Sequence, residues 1–352
     1  IFFHELGHFI VAKINHITVK EFSMGFGPKL FQFHKKETQY TLRLIPLGGY
    51  CMMLSEDDEE NENDENSFEK KSIWARMAVV LAGPAMNFVI AFLFSMVIIH
   101  FCGSDPAIIG AVYNKDNIEK YQIENAEEYF NGVYPAEEAG ISDGDRVLKI
   151  EGSTVKNFRE LQIYLQIYGD GSPIDLTLEK EDGTVYDTTV HPAKTPDGYK
   201  IGIMSVGYQL PKNFGELCKY SAYETRYWVK ATFLSLKLIV TRQVSSDEVS
   251  GPVGVAKNMN DTFNEAAKSS VLDLFLNWMN YIVLLSANLG VMNLLPIPGL
   301  DGGRFIFLLI EAVTRKKVPK DKENIVTLIG FVLVMLLMVV ILFNDIKNVF
   351  FH

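Results

Sequence analysis

Apolar residues are concentrated in three long uncharged runs along the chain. They cover residues 77–102, 278–300 and 325–343. A helix needs about 20 apolar residues to cross the roughly 30 Å hydrocarbon core of a bilayer, and each run is about that long. A single run of this kind could be a buried core helix, but three in one chain predict membrane spans.

The chain begins with a shorter apolar segment, IFFHELGHFIVA. It is too short to cross a bilayer. A signal peptide would carry a basic segment and a small-residue cleavage site, so we expect instead the second half of a first transmembrane helix. The predicted fold is therefore a polytopic α-helical membrane protein with four transmembrane helices, the first truncated.

Lysine and arginine are concentrated in two of the links between these runs. Residues 13–76 carry nine of them and residues 304–322 carry six, whereas none follows the second span until Lys115. By the positive-inside rule both links are cytoplasmic, and residues 103–277 lie on the opposite side of the membrane.

The net charge of −10 comes mainly from one acidic run, since eight of the eleven residues from Glu56 to Asn66 are acidic. We expect a solvated loop there. The acidic balance and the lack of a basic stripe argue against a nucleic-acid partner. Cys51, Cys102 and Cys218 are too few and too far apart for a disulfide scaffold.

The sequence HELGH at residues 4–8 carries the first candidate chemistry. Residues four apart share one face of a helix, so His4 and His8 can bind one zinc ion, and Glu5 lies close enough to act as a general base. Such polar residues are costly inside an apolar helix and are usually functional there. A packed polar pair without a metal is the alternative.

A catalytic zinc site needs a third protein ligand, and Asp301 is the candidate. It follows the segment 293–299, in which two prolines and a glycine cannot continue a regular helix. Broken backbone at membrane depth is tolerated where it lines a cavity, and a carboxylate there needs a partner. The alternative is that Asp301 caps a helix over residues 304–313.

Four motifs spread over nearly the whole chain resemble those of the site-2 protease family. They are HELGH at 4–8, LAGPAMNF at 81–88, GPVG at 251–254 and NLLPIPGLDGG at 293–303. Among the branches of that family, the chain is most similar to the bacterial regulator-of-sigma-E type of intramembrane zinc metalloprotease.

This resemblance implies roles for individual residues. It implies that His4, His8 and Asp301 are ligands of Zn²⁺ and that Glu5 is the catalytic base. It also implies that Asn293 helps to hold the substrate or the oxyanion.

Residues 17–52 predict β structure, with strands over 18–22 and 38–44 and a tight turn at Gly25 and Gly27. In the family such a segment dips into the membrane beside the active site, which implies a membrane-reentrant β-hairpin. An edge strand there could pair with an unwound substrate, so the two glycines are candidate substrate-binding residues. An ordinary amphipathic hairpin on the membrane surface is the alternative.

Residues 105–205 have the composition of a soluble domain, and the segment 134–152 resembles PDZ domains of bacterial envelope proteases. The pattern predicts a strand over 147–150, a helix over 158–168 and a strand over 174–178. PDZ folds bind extended peptides at a sheet edge, so a peptide C-terminus is a candidate partner of this inserted β-rich PDZ-like domain.

One feature departs from that resemblance. About 20 residues, 114–133, separate the first candidate strand from the following helix and disturb the expected peptide groove. A small β-rich spacer without a ligand is the alternative.

The segment 220–244 is fairly apolar but carries Arg226, Lys230 and Lys237 on one helical face, which is typical of a helix lying in the membrane interface. The chain is thus divided into four segments. These are 1–102 with the HExxH helix, reentrant β segment, acidic loop and second transmembrane helix; 103–212, an extracytoplasmic PDZ-like domain; 213–277, interfacial amphipathic helices; and 278–352, the third and fourth transmembrane helices with the LDG motif.

These observations predict a zinc-dependent intramembrane endopeptidase of the bacterial cell membrane, with its active site toward the cytoplasmic half. The resemblance implies single-span membrane protein substrates already trimmed on their outer side, such as anti-sigma factors or remnant signal peptides. A catalytically silent scaffold that binds partners through its PDZ-like domain is an alternative. A metal transporter is another, but it would need a polar path, for which the spans offer chiefly His100.

Overall fold

The computed structural model describes residues 1–54, 64–121, 129–241 and 251–351. Most of the predicted acidic loop and part of the insert at 114–133 lie outside the described residues. The chain forms two compact units. The first unit comprises residues 1–94 and 232–352, and the second unit comprises residues 95–231.

The helices, in chain order, are α1 (Phe2–Ile14), α2 (Ile73–Cys102), α3 (Lys115–Tyr121), α4 (Pro135–Glu138), α5 (Phe158–Ile167), α6 (Phe214–Val240), α7 (Pro252–Ser269), α8 (Val271–Leu294), α9 (Asp301–Thr314) and α10 (Lys320–Phe351). The strands are β1 (Val19–Lys35), β2 (Thr38–Met53), β3 (Ile109–Val112), β4 (Arg146–Ile150), β5 (Ser153–Thr154), β6 (Ile174–Glu179), β7 (Val185–Val190), β8 (Ala193–Thr195), β9 (Gly198–Lys200) and β10 (Ile203–Ser205).

Three of these helices are long and apolar enough to cross a membrane: α2, α8 and residues 321–344 of α10. They confirm the three spans predicted from the uncharged runs. Helix α1 has 13 residues. It therefore rises about 20 Å, less than the roughly 30 Å of a bilayer core, and the count of four transmembrane helices stays a prediction.

Helix α8 ends at Leu294, inside the segment 293–299 that was predicted to interrupt the helix. Leu295 adopts extended backbone, as expected for a residue that precedes a proline. Pro296 and Pro298 then prevent the helix from continuing.

Helix α9 begins at Asp301, three residues before the predicted start at Arg304, and Leu300 is its N-cap residue. Asp301 is therefore not the cap of this helix. Helix α10 packs closely on the preceding break, since a Cβ on Gly330 would lie 2.2 Å from the carbonyl oxygen of Pro298. Only glycine allows that approach.

The two long strands of the first unit, β1 and β2, pair along three stretches. Residues 19–24 pair with 49–53 in antiparallel register on one side. On the other side residues 21–24 pair with 39–42, with both segments running in the same direction, and residues 29–35 pair with 38–43 in antiparallel register. The segment 49–53 is consequently an outer segment of the layer.

The strands predicted at 18–22 and 38–44 are thus confirmed, and both are longer than expected. Gly25 and Gly27 lie within β1, at the bend between its two paired halves, and not in the turn that joins the strands. Their φ angles of 86° and 84° are in the left-handed region, which glycine tolerates. Eight large apolar side chains of the layer are exposed: Phe26, Leu30, Phe31, Phe33, Leu42, Leu44, Ile45 and Met52.

The core of the first unit joins α1, β1, α2 and α9. Its buried members are Ala12, Ile17, Val19, Phe68, Met77, Val79, Val80 and Leu308. Helices α1 and α2 touch through their backbones, because a Cβ on Gly7 would lie 2.3 Å from the carbonyl oxygen of Ala82. Small residues at such a contact are typical of helices that pack inside membranes.

The second unit is built on a four-stranded sheet with the order β5–β4–β6–β7 and two smaller strand pairs. The strands predicted at 147–150 and 174–178 are present as β4 and β6, and the helix predicted at 158–168 is present as α5. Its fully buried side chains include Ile109, Val147, Ile150, Leu161, Ile174, Leu176, Leu178 and Val190. The assignment of this unit as a PDZ domain stays a prediction.

Helix α6 covers the predicted interfacial segment, and its first part packs on α5 within the second unit. Arg226 donates two hydrogen bonds, of 2.7 and 2.9 Å, to the buried carboxylate of Glu160. Lys230 lies 3.3 Å from the same carboxylate and donates to the carbonyl oxygen of Thr154 at 2.6 Å. Two of the three cations assigned to a membrane surface therefore have protein partners, and the interfacial placement of α6 stays a prediction.

Candidate metal centre

Three polar side chains from two distant parts of the chain converge in the first unit. His4 and His8 lie one turn apart on α1, and Asp301 is the first residue of α9. The two Nε2 atoms are 3.2 Å apart. Asp301 Oδ2 lies 3.0 Å from Nε2 of His4 and 3.3 Å from Nε2 of His8. The structure thus brings together the three residues that were predicted as ligands.

Glycine at position 83 of α2 leaves room for both imidazole rings. A Cβ there would lie 2.3 Å from Nε2 of His8 and 2.7 Å from Cε1 of His4. Because Cβ atoms do not approach other atoms that closely, any other residue would displace the rings. In the sequence, Gly83 is marked only by its place in the family-like motif at 81–88.

Helix α2 also holds the outer nitrogens of both histidines. Nδ1 of His8 donates to the carbonyl oxygen of Val79 at 2.8 Å, which leaves the lone pair on Nε2 facing the centre. Nδ1 of His4 lies 3.1 Å from the side-chain nitrogen Nδ2 of Asn87. Rotating this amide by 180° exchanges its nitrogen and oxygen, and the oxygen then accepts Nδ1–H and leaves Nε2 of His4 free as well.

Asn87 is a functional candidate that was not predicted individually from the sequence. It is buried, with 1% of its surface exposed. A signal was available, since it is an amide within an uncharged run of membrane-spanning length, where polar residues are costly and usually functional.

The chemistry of the three inward-facing atoms fits a divalent metal. With both Nδ1 atoms protonated, two lone pairs and a carboxylate oxygen face one another. Asp301 Oδ2 is buried and, within the described ranges, accepts no hydrogen bond. Zinc bonds of about 2.0–2.1 Å at tetrahedral angles place neighbouring ligand atoms about 3.3 Å apart. The observed separations of 3.0–3.3 Å agree with that spacing.

Glu5, the predicted base, lies beside this triangle on α1 and is half-buried. A Cβ on Gly49 would be 3.6 Å from Cγ of Glu5. The outer segment 49–53 of the β layer therefore runs next to this carboxylate, as an edge that can approach a bound peptide.

Asn293 lies in the last turn of α8, and its Nδ2 is 3.5 Å from Nε2 of His4. The structure thus places this predicted residue at the rim of the triangle. Gly25 and Gly27 lie in the β layer, where their close neighbours are Ile45 and, for Gly25, also Arg43. Their substrate-binding role stays a prediction.

Comparisons with known proteins cover the whole of this arrangement. The model of peptidase family M50 matches residues 1–337. A Clostridium acetobutylicum protein that bears a zinc metalloprotease name is 37% identical, over 98% of this chain and 94% of that protein. Zinc metalloprotease RasP of Geobacillus kaustophilus is 32% identical, over 99% and 96%. Regulator of sigma-W protease RasP of Bacillus subtilis is 29% identical, over 99% and 96%.

Proposed function

Since the chain belongs to peptidase family M50, we propose that it is a zinc-dependent endopeptidase that cleaves membrane proteins within their spanning segments. The observation that carries the proposal is the triangle of Nε2 of His4, Nε2 of His8 and Oδ2 of Asp301, with Glu5 beside it. Three nitrogen and oxygen ligands with a fourth position left open are typical of catalytic zinc. The names of the related proteins support Zn²⁺ as the metal.

Zn²⁺ in this triangle supplies Lewis acidity, which polarises the scissile carbonyl and lowers the pKa of a water molecule. Glu5 removes a proton from the attacking water as the water oxygen bonds to the carbonyl carbon. The carbon–nitrogen bond then breaks, and Glu5 passes the proton to the leaving amine nitrogen. The amide N–H of Asn293 donates to the carbonyl oxygen as negative charge develops on it.

The β layer supplies a means of holding the substrate. A peptide bond inside a helix has its carbonyl hydrogen-bonded and shielded, so the substrate must unwind locally before it can react. The segment 49–53 pairs with β1 on one side, and no described strand pairs with its other side. We assign this free side to main-chain pairing with the unwound substrate. Gly25 and Gly27 contribute the bend that shapes the layer.

The substrates that suit this site are single-span membrane proteins trimmed on their outer side, such as anti-sigma factors or remnant signal peptides. A relative named regulator of sigma-W protease supports the first of these classes. Three candidate spans and bacterial relatives support a bacterial membrane protein. The charge distribution favours an active site in the cytoplasmic half and a second unit outside the cytoplasm.

The test is cleavage of a tagged single-span substrate in membranes, with zinc content measured on the same purified proteins. We expect wild type to cleave, Glu5→Gln to lose about 10²–10⁴-fold in rate while retaining zinc, and Asp301→Ala to lose both. Glu138→Gln, at an exposed position of the second unit, is the matched control and should cleave normally. Cleavage that survives Glu5→Gln, or wild-type protein that binds no zinc, would contradict the proposal.

A second function, peptide binding by the second unit, is favoured by a cavity of about 630 Å³. It lies between α5 and residues 199–203, and Tyr129 and Phe130 of the insert contribute to its lining. Ligand cavities are commonly of this size. The lining mixes polar and apolar residues and includes both Asp197 and Lys200, of which Lys200 supplies a positive charge for a terminal carboxylate.

Peptides ending in an apolar residue, with either a free or an amidated C-terminus, test this function by fluorescence anisotropy. We expect the free carboxylate to bind more tightly and Lys200→Met to weaken that binding. Lys194→Met, at an exposed position outside the cavity lining, should leave it unchanged. Equal binding of both peptides would rule out carboxylate recognition and favour a spacer role for the unit.

A further inference from the structure

One buried ion pair of the first unit has no part in the chemistry described so far. Arg76 of α2 donates two hydrogen bonds, of 2.6 and 3.1 Å, to the two carboxylate oxygens of Glu311 in α9. The side chains are only 8% and 16% exposed. The pair lies beside the apolar core residues Met77 and Leu308.

The two helices joined by this pair carry opposite sides of the metal centre. Helix α2 supplies the carbonyl oxygen of Val79 and the amide of Asn87, which hold the outer nitrogens of the histidines. Helix α9 begins with Asp301. Sliding or rotation of α9 against α2 would therefore move Asp301 Oδ2 relative to both imidazoles.

The pair is poorly suited to a purely stabilising role. Removing two charges from water costs more than many buried ion pairs return, and Nε of Arg76 has no acceptor among the described residues. Arg76 lies in the first turn of α2 and Glu311 in the last turn of α9. Each charge thus opposes the dipole of its own helix but lies at the favourable end of the other helix. The helix dipoles therefore add little net stability to the pair, which is consistent with a function of the pairing itself.

Apolar contacts do not fix the register of two helices, because Met77, Leu308 and their neighbours could pack in several offsets. A bidentate guanidinium–carboxylate pair is directional and is satisfied at one offset only. Specification of register is the best-attested use of buried polar contacts between helices.

We infer that Arg76 and Glu311 are positioning residues whose ion pair sets the register of α2 against α9 and so holds Asp301 at the distance from His4 and His8 that binds the metal. The inference rests on the proposed zinc site. It adds to that site an ion pair that touches neither the metal ligands nor their hydrogen-bond partners.

The test measures Zn²⁺ affinity of the purified full chain in detergent, by competition with a chromophoric chelator, and the thermal unfolding midpoint of the metal-free protein. The key variant is Arg76→Met with Glu311→Leu, which leaves no unpaired charge. We expect its metal-free unfolding midpoint to stay close to wild type while its Zn²⁺ affinity falls about tenfold or more, as for changes that misorient metal ligands.

Two further variants separate positioning from general damage. The exchanged pair Arg76→Glu with Glu311→Arg keeps the contact and reverses both dipole interactions, so it should recover most of the lost affinity. Arg159→Met with Glu224→Leu removes a comparable ion pair, 2.6 Å long, from the second unit and should retain wild-type affinity.

Each contrary result would overturn the inference. Undiminished Zn²⁺ affinity of the Met/Leu variant would show that the pair does not position the ligands. Affinity and metal-free stability that fall together, or an equal loss in the control from the second unit, would reduce the pair to a structural contact. Wild-type protein without Zn²⁺ affinity would remove the proposed site itself.

Discussion

The two units of the molecule use their polar residues differently. In the second unit several polar side chains serve neighbouring backbone, as Asn157 does when it caps α5 by accepting from the backbone N–H of Glu160, although Glu160 itself binds the distant Arg226. In the first unit the polar side chains of His4, Asn87 and Asp301 meet among the helices, far apart in sequence. Local sequence patterns therefore account for most of the second unit and for much less of the first.

This difference has a physical cause. Burial of apolar surface from water selects one compact arrangement in a soluble-type unit. Helices in lipid gain nothing by that route, because lipid tails are as apolar as their side chains. Close backbone contacts at Gly7 and Gly83 and buried polar contacts then select the arrangement. Changes at such positions should damage the metal centre, and core changes in the second unit should not.

Among changes outside the metal ligands, the largest effect in the first unit is expected for Gly83→Ala. The added Cβ must displace the imidazole of His8, so Zn²⁺ affinity should fall at least about 100-fold, the upper end for changes outside the ligands. Chelator competition on purified protein measures this. Gly215→Ala, at an exposed position of α6, is the matched control. An unchanged affinity of Gly83→Ala would mean that the close helix contact does not shape the metal centre.

In the second unit the corresponding change is Leu161→Ala, at a fully buried position of α5. The cavity left behind should lower the free energy of unfolding of this unit by about 2–5 kcal/mol. Faster hydrogen exchange in peptides from β4 and β6 would report it, with the exposed Leu210→Ala as control. Zn²⁺ affinity should stay the same. A parallel loss of affinity would contradict the expectation that core changes in the second unit leave the metal centre intact.

A smaller effect is expected for Asn87→Ala, which removes the partner of Nδ1 of His4. Zn²⁺ affinity should fall about 10–100-fold, or about 1.4–2.7 kcal/mol. Asn87→Asp keeps an acceptor for Nδ1–H and should retain most of the affinity. The exposed Asn258→Ala of α7 is the control. If aspartate were as damaging as alanine, acceptance of this proton would not be the role of Asn87.

Some secondary-structure elements could be predicted from the sequence, and others could not. The three apolar runs predicted the spanning helices, and the period-two pattern predicted β4 and β6, because both signals depend only on nearby residues. The end of α8 at Leu294 falls within the break predicted from the prolines at 296 and 298. The pairing of β1 with both halves of β2 could not be predicted, since it depends on a bend and on contacts between distant segments.

For the site, residue type and spacing pointed to His4, His8 and Asp301, because few arrangements justify such groups inside apolar helices. The sequence by itself determined the secondary-structure elements and the side chains available to bind a metal or transfer a proton. Hydropathy, periodicity and ligand type are properties of short segments. Only the tertiary structure decided which nitrogen of each histidine faces the centre, that Gly83 makes room for them, and that Arg76 meets Glu311. Those features depend on the approach of helices that are remote along the chain, which no local pattern encodes.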